Sequence, residues 1–403
     1  MFTEGDLPKV WKIKKLTEIC DVRDGTHDSP KYKNEGYPLV TSKNVATGFI
    51  DFSDVNLISK DDYDNINKRS YVDDGDILMP MIGTIGNPII VKKDRKFAIK
   101  NVALIKFTKT DVSNKYVKLF LESIHFKHYI KKINRGGTQK FISLKDIRNF
   151  PVILPPIEKQ NKLIKILEKA EKIKEWRVEA DKLTDEYLKS VFLEIYNSAS
   201  HHPDLKADYL SESLRDVKNG LSRRRKISEN KGDIVLRLKD IRENKIDLTE
   251  LNRIPLNELE KEKYGVERND LLFIRVNGNK DYVGRCAVFR EFNENIYFND
   301  HIMRVKIDSN QFNPIFLAFL INSEYGKKQL KNHLRTSAGQ YTINQKGLER
   351  LKFYQPDISL QNSFVDLFNK IEILKKDQFN SEIKIKELFD TLMQKAFKGE
   401  LVC

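Results

Sequence analysis

The sequence predicts an α+β chain that is built twice. Two β-rich domains are separated by two long helices, and the helices pair as an antiparallel intramolecular coiled coil about a pseudo-two-fold repeat. Three observations predict this. Six short motifs recur in the same order in the two halves. Each half closes in a long stretch whose apolar residues step by threes and fours, the period of a helix face. A proline stands at the entrance to each stretch, at Pro155 and Pro156 and again at Pro356.

The repeat comes first, because a missed repeat misreads the whole fold. Residues 19–25 have a counterpart in 214–220, and 39–45 in 235–241. The turn-then-strand signals at 72–79 and 266–273 match, each with Gly or Asn before Asp and an apolar run after it. Gly86 before 89–91 parallels Gly284 before 287–289, and 103–107 parallels 302–306. The glycine-bearing runs 135–141 and 336–342 close the series. The offset drifts only slightly, around 195 to 202 residues.

The first helix is expected from Glu158 to about Tyr196, with Leu163, Ile166, Ala170, Ile173, Trp176, Ala180, Leu183, Tyr187 and Val191 on its packed face. Such a helix would be roughly 55–60 Å long at 1.5 Å per residue, long enough to separate two bodies. The second is expected from Leu360 to about Leu401, through Phe364, Leu367, Ile371, Leu374, Ile385, Leu388, Leu392 and Ala396. Polar Gln378 and Ser381 interrupt it, and such an interruption can fix register. The expected divisions are 1–155 for the first domain, 156–200 for the first helix, 201–358 for the second domain and 359–403 for the second helix.

Composition narrows the function classes. The chain has 403 residues, past the length at which single cores divide. Its net charge is +14, from 72 Lys+Arg against 58 Asp+Glu, which favours a polyanionic partner. No apolar run is long enough to span a membrane, and the start of the chain has no secretory core, so a cytoplasmic protein with no membrane partner is expected. The cysteines, Cys20, Cys286 and Cys403, are far apart and read as free thiols.

Catalytic motifs are missing. There is no Walker loop, nucleophile elbow, H-E-x-x-H or C-x-x-C. The string Leu154-Pro155-Pro156-Ile157 lacks the polar and aromatic residues of a base-amino methyltransferase motif. Gly83-Thr84-Ile85-Gly86-Asn87 leads into Pro88 and a β stretch, so it reads as a hairpin turn. Asp24, His27 and Asp28 share one loop, where a metal site competes with a turn whose side chains satisfy nearby backbone groups.

Basic residues occur in both halves. Lys92, Lys93, Lys140, Arg223, Arg224 and Arg225 are the candidates for phosphate contact. Arg135, Arg237, Arg275 and Arg335 are the candidates for base edges or a groove. Glycines in 135–141 and 335–342 would let backbone approach a sugar-phosphate chain closely.

Several strings then resemble the specificity subunit of a type I restriction-modification system, over essentially the whole chain. They are Lys395-Ala396-Phe397-Lys398-Gly399-Glu400-Leu401, the helix entry from Leu154 to Gln160, and the run Leu188 to Glu194. Pro8 to Lys12 with Leu16 and the pairs Gly75-Asp76 and Asn269-Asp270 agree as well. The second entry departs: Tyr354-Gln355-Pro356-Asp357-Ile358 stands where a double proline is usual, with Gln361 in place of the entry glutamine.

The resemblance implies two target recognition domains that read the halves of a bipartite site in double-stranded DNA, and no catalysis by this chain. It implies two methylation subunits and two restriction subunits as partners, with docking regions expected around Trp176, Phe192 and Phe397. Cofactors would sit on those partners: S-adenosylmethionine on the methylation subunit, ATP and magnesium on the restriction subunit. Two other classes compete on the residues alone: a scaffold that binds no DNA, and a fused DNA-modifying enzyme.

Overall fold

The computed structural model describes residues 7–45, 48–83, 85–107, 111–133, 141–201, 203, 206–222, 231–337 and 339–402. The chain divides into two compact units, Met1–Val178 with Phe379–Cys403, and Glu179–Gln378. The boundaries fall inside the long helices, Ile157–Ser200 and Ile358–Lys398, so each unit contains half of each.

In the first unit a four-stranded sheet has the order Asp21–Asp24, Val102–Lys106, Ile77–Pro80, Ile89–Ile90, all antiparallel. Its strand Ile77–Pro80 is buried at every position and reads as a continuous apolar run for that reason. A three-stranded sheet has the order Asn56–Ile58, Tyr37–Thr41, Ala98–Lys100, and its last two strands are parallel. Strands Ile77–Pro80 and Ile89–Ile90 pair across the 83–87 run, which is the hairpin its Gly-Pro composition indicates.

The second unit repeats this plan. Its four-stranded order is Leu214–Asn219, Ile302–Ile307, Leu271–Ile274, Cys286–Val288. Its three-stranded order is Arg253–Ile254, Asp233–Leu236, Ile296–Phe298, again with the last two parallel. The equivalence reaches single atoms. Gly75 and Asn269 both take left-handed φ, +82° and +72°. The carboxylates after them accept backbone N–H groups three residues back, Asp76 from Asp73 at 2.7 Å and Asp270 from Glu267 at 2.8 Å.

Each long helix enters its bundle through one buried glutamine. Gln160 Oε1 accepts from Ser113 N at 2.9 Å, while its Nε2 donates to Asp111 O at 3.0 Å and Pro155 O at 2.9 Å. Gln361 accepts from Asn313 N at 2.9 Å and donates to Gln311 O at 3.0 Å and Pro356 O at 2.7 Å. The missing second proline at the second entry therefore leaves this geometry unchanged.

Within each unit the helix halves pack antiparallel. In the first, Leu163, Ile164 and Leu167 share a core with Met393, Ala396 and Phe397, and Lys174 Nζ lies 4.4 Å from the Phe389 ring centroid. In the second, the Phe192 and Phe364 rings are 5.5 Å apart, and Gln378 Nε2 donates to Thr184 Oγ1 at 3.2 Å. Gln378 is thus a buried polar contact in the seam, as the heptad interruption indicates.

The face of the first helix needs correction. Ile173, Trp176, Leu183 and Tyr187 are exposed by 42, 61, 53 and 56%, and Leu374 and Leu388 on the second helix are also exposed. Leu163 and Ala170 are packed as expected, and the other buried positions are Ile164, Leu167, Leu188, Phe192 and Tyr196, with Lys174 and Arg177 half-buried between them. Two apolar stripes overlap on this helix at three-and-four spacing. The packed one is hidden in the sequence because lysine and arginine stems cover part of it.

A candidate nucleic-acid interface in each unit

Two glycines define where the reading loops start. A Cβ at Gly25 would stand 2.3 Å from Ile99 O, and one at Gly220 would stand 2.1 Å from Asn299 O. Only glycine lets the chain pass so close to the neighbouring strand. The hydrogen bonds beyond them correspond: Thr26 N donates to Ile99 O at 3.0 Å and Leu221 N to Phe298 O at 2.9 Å. Asn101 N donates back to Thr26 O at 3.2 Å, and Asp300 N to Leu221 O at 3.0 Å. From the first anchor emerge residues 27–33, with exposed Lys31, Tyr32 and Lys33, and in sequence the second anchor is followed by the basic run that starts after Ser222.

In the second unit this anchor is joined by a β-ribbon. Strands Arg335–Ser337 and Gln340–Thr342 form a hairpin that pairs with Val276–Asn277. Gly339 turns it at φ +75°. Arg275 precedes that strand and ties the pieces together: its N–H donates to His301 O at 2.8 Å, its guanidinium to Asp300 O at 2.8 Å, and its own carbonyl accepts from Ile343 N at 3.0 Å. Arg275, the ribbon carrying Arg335, and the base of the Arg223 segment therefore converge. A two-stranded ribbon with exposed Arg335, Thr336, Ser337 and Gln340 has the width and donor groups to enter a major groove. In the first unit an isolated antiparallel bridge between Ile82 and Phe141 marks the corresponding place.

Other candidates are placed differently. Arg237 is bound inside its own turn, to Asp240 Oδ1 at 3.2 Å and Glu250 O at 2.6 Å. Lys92 is exposed. Lys93 contacts Val72 O through its ammonium, lies 3.7 Å from the Tyr71 ring centroid, and donates its N–H to Asp74 Oδ1 at 2.9 Å. Lys140, Arg135, Arg223, Arg224 and Arg225 lie outside the described residues.

Of the three residues that mark the expected docking regions, two are buried. Phe192 and Phe397 are enclosed in the cores of their units. Phe397 lies edge-on to Phe120 at 4.7 Å and to Tyr116 at 5.7 Å, and Phe192 lies 5.1 Å from Phe316. They seat helix halves against globular cores and offer no surface. Trp176 is exposed, with Lys172 Nζ 5.2 Å from its ring centroid.

The Asp24–His27 loop forms a side-chain network. His27 Nε2 lies 2.9 Å from Asp24 Oδ2, and Nδ1 lies 2.9 Å from Asn101 Oδ1. Asp24 also pairs with Arg69. Bonds to Asn101 and then Asp24 raise the His27 pKa above its ordinary value, against partial burial. Among the described residues no three acidic, His or Cys side chains cluster as metal ligands. Asn101 was invisible to motif reading; the signal it carries is a left-handed φ of +55° between two strands. No helix among the described residues is long and apolar enough to cross a membrane.

Residues 8–180 match the type I restriction modification DNA specificity domain. The chain is 26% identical to the Type I restriction enzyme StySPI specificity subunit of Salmonella potsdam, covering 98% of this chain and 90% of that one. It is 22% identical to the EcoKI specificity subunit of Escherichia coli strain K12, again over 98% of this chain and 90% of that one. A solved chain from work on complex assembly and conformational transition of the type I R-M system superposes with a TM-score of 0.64 at 16% identity, covering 98% of this chain and 99% of that one. That likeness supports the fold.

Proposed function

This chain belongs to the specificity subunits of type I restriction-modification systems, and from that premise we propose that it reads a bipartite DNA target, one unit to each half-site. The observation that carries this reading is the doubled anchor. Gly25 and Gly220, with their matched backbone bonds, each stand just before a polar or basic stretch of sequence in two units built on the same plan. A single-site binder has no need of the second copy.

In this reading the chain supplies recognition and no chemistry, and works in the cytoplasm. Two methylation subunits, carrying S-adenosylmethionine, dock along the helices near exposed Trp176, and two restriction subunits with ATP and magnesium join them. A methylation subunit would reach its base by flipping it out of the duplex. The helix pair sets the gap between half-sites. One added turn, ~5.4 Å, corresponds to about one to two base pairs at 3.4 Å each.

Methylome sequencing of cells with and without the chain tests the reading. A two-part methylated motif should vanish with the gene. Four residues inserted in both helices, beside Trp176 and beside Phe389, should change the gap of that motif and leave its half-sites intact. An unchanged gap would refute the spacer role.

A further inference from the structure

His27 stands at the base of the first reading loop with both ring nitrogens occupied. Asp24 is almost completely buried, and among the described residues its oxygens are met by Arg69 on one side and His27 Nε2 on the other. A buried carboxylate accepts, so Nε2 carries a proton. Nδ1 faces the Asn101 side-chain oxygen at 2.9 Å, which also accepts. An imidazolium satisfies both contacts at once, since each of its ring nitrogens donates. The remaining charged groups around it are Asp28 on its own loop and Lys100, whose ammonium donates to Ser29 Oγ at 2.5 Å.

Loss of the Nδ1 proton has a defined consequence. The Asn101 amide must then turn its NH2 toward the ring, because a neutral Nδ1 can only accept. The group that Asn101 presents on its other side changes from donor to acceptor. Its backbone cannot follow, since Asn101 N is bonded to Thr26 O and Ser42 Oγ donates to Asn101 O at 2.9 Å. The second unit has Ser222 and Asp300 at the corresponding positions, so it has no equivalent switch.

We propose that His27 is a proton-linked positioning residue for the first half-site: as imidazolium it holds the Asn101 amide with its NH2 outward and adds positive charge beneath the DNA. The proposal rests on the DNA-reading function above. Phosphates favour the charged ring, so binding takes up a proton and tightens as pH falls. A histidine ordinarily titrates between about pH 5 and 8, and the bonds to Asn101 and Asp24 move His27 upward from its ordinary value.

The test is selection of the intact chain on a random-sequence duplex library at fixed ionic strength, followed by affinity measurements on the enriched duplex between about pH 6 and pH 8. Wild-type affinity should rise on acidification, by at most about tenfold per pH unit for one linked proton. His27→Gln should flatten that slope and relax selection in the first half-site only, with the second half-site still selected as in the wild type. Asn101→Asp, which can only accept from the ring, should move the pH midpoint upward. A slope that persists in H27Q, or a wild type with no slope, overturns the proposal. A wild type that enriches no sequence at any pH overturns the DNA-reading function itself.

Discussion

Gln160 and Gln361 make the same three backbone hydrogen bonds, 201 positions apart (361 less 160), each with its amide wholly buried at the entrance to a long helix. Each amide closes a carbonyl from the preceding proline and both a donor and an acceptor from the loop before a short helix. Loss of either end of the amide would leave a buried backbone group without its partner.

Gln361→Ala should destabilise the chain by about 2–3 kcal/mol, because a buried donor and buried acceptors lose their partner. Gln361→Glu should be worse at neutral pH than in acid, since a carboxylate would face two carbonyls. Urea unfolding of both variants across pH checks this. Equal losses at all pH values would show that the amide only fills space.

Phe397→Ala and Phe192→Ala should each cost about 3–5 kcal/mol by opening a cavity among aromatic rings. Trp176→Ala, on the exposed face, should change stability by less than about 0.5 kcal/mol. The order reverses for assembly: Trp176→Ala should weaken co-purification of the methylation subunit. Melting curves and pull-downs on the same preparations separate the two effects.

Lys106 holds Asp76 and Asp73 at 2.7 Å each, with Asp76 buried. Lys106→Met should destabilise by about 3–5 kcal/mol at neutral pH, because an unpaired carboxylate stays buried. Burial already raises the Asp76 pKa, opposed by the Lys106 and Asp73 bonds, and losing Lys106 widens that rise. A carboxyl whose folded value lies above its unfolded one is penalised at high pH and relieved by protonation. The deficit should be full above the raised folded value and gone below the ordinary aspartate range. A pH series of unfolding midpoints reads this directly.

Gly25→Ala and Gly220→Ala should each destabilise by about 1–3 kcal/mol, since the new methyl meets backbone that cannot yield. Their effects on DNA should differ: the first should blur only the first half-site, the second only the other. Sequence selection on each variant distinguishes them.

Arg335→Ala should cost about 1–3 kcal/mol of DNA affinity and relax one base position, as loss of a groove contact does. Lys92→Ala should lower affinity for all sequences alike and reduce the salt slope by about one. Binding titrations at several salt concentrations are the measurement.

Much of the fold was legible because it is written twice. Asp76 and Asp270 follow residues with left-handed φ, and a Gly or Asn before Asp is what the chain shows at such a turn. The helices were legible from Pro155, Pro156, Pro356 and their periodicity. Which face packs was not, because Lys174 and Arg177 stand inward by their stems while Trp176 stands outward. The site was legible only as a set of basic loops. That Arg275 bonds the Asp300 carbonyl and Arg237 the Glu250 carbonyl depends on backbone turns that bring distant carbonyls within reach. His27 was noticed, but its partner Asn101 lies 74 positions away across a strand pairing.

The unit that the chain starts building first is sealed by Phe397, which leaves the ribosome only after all of residues 179–378. Domains ordinarily fold in the order of their synthesis. Here the later-encoded, contiguous unit is the one able to finish early, while Tyr116 and Phe120 wait with an open socket for a ring still to be translated. Birth order and completion order are reversed, and a nascent chain halted near residue 378 would hold one mature reader and one unfinished one.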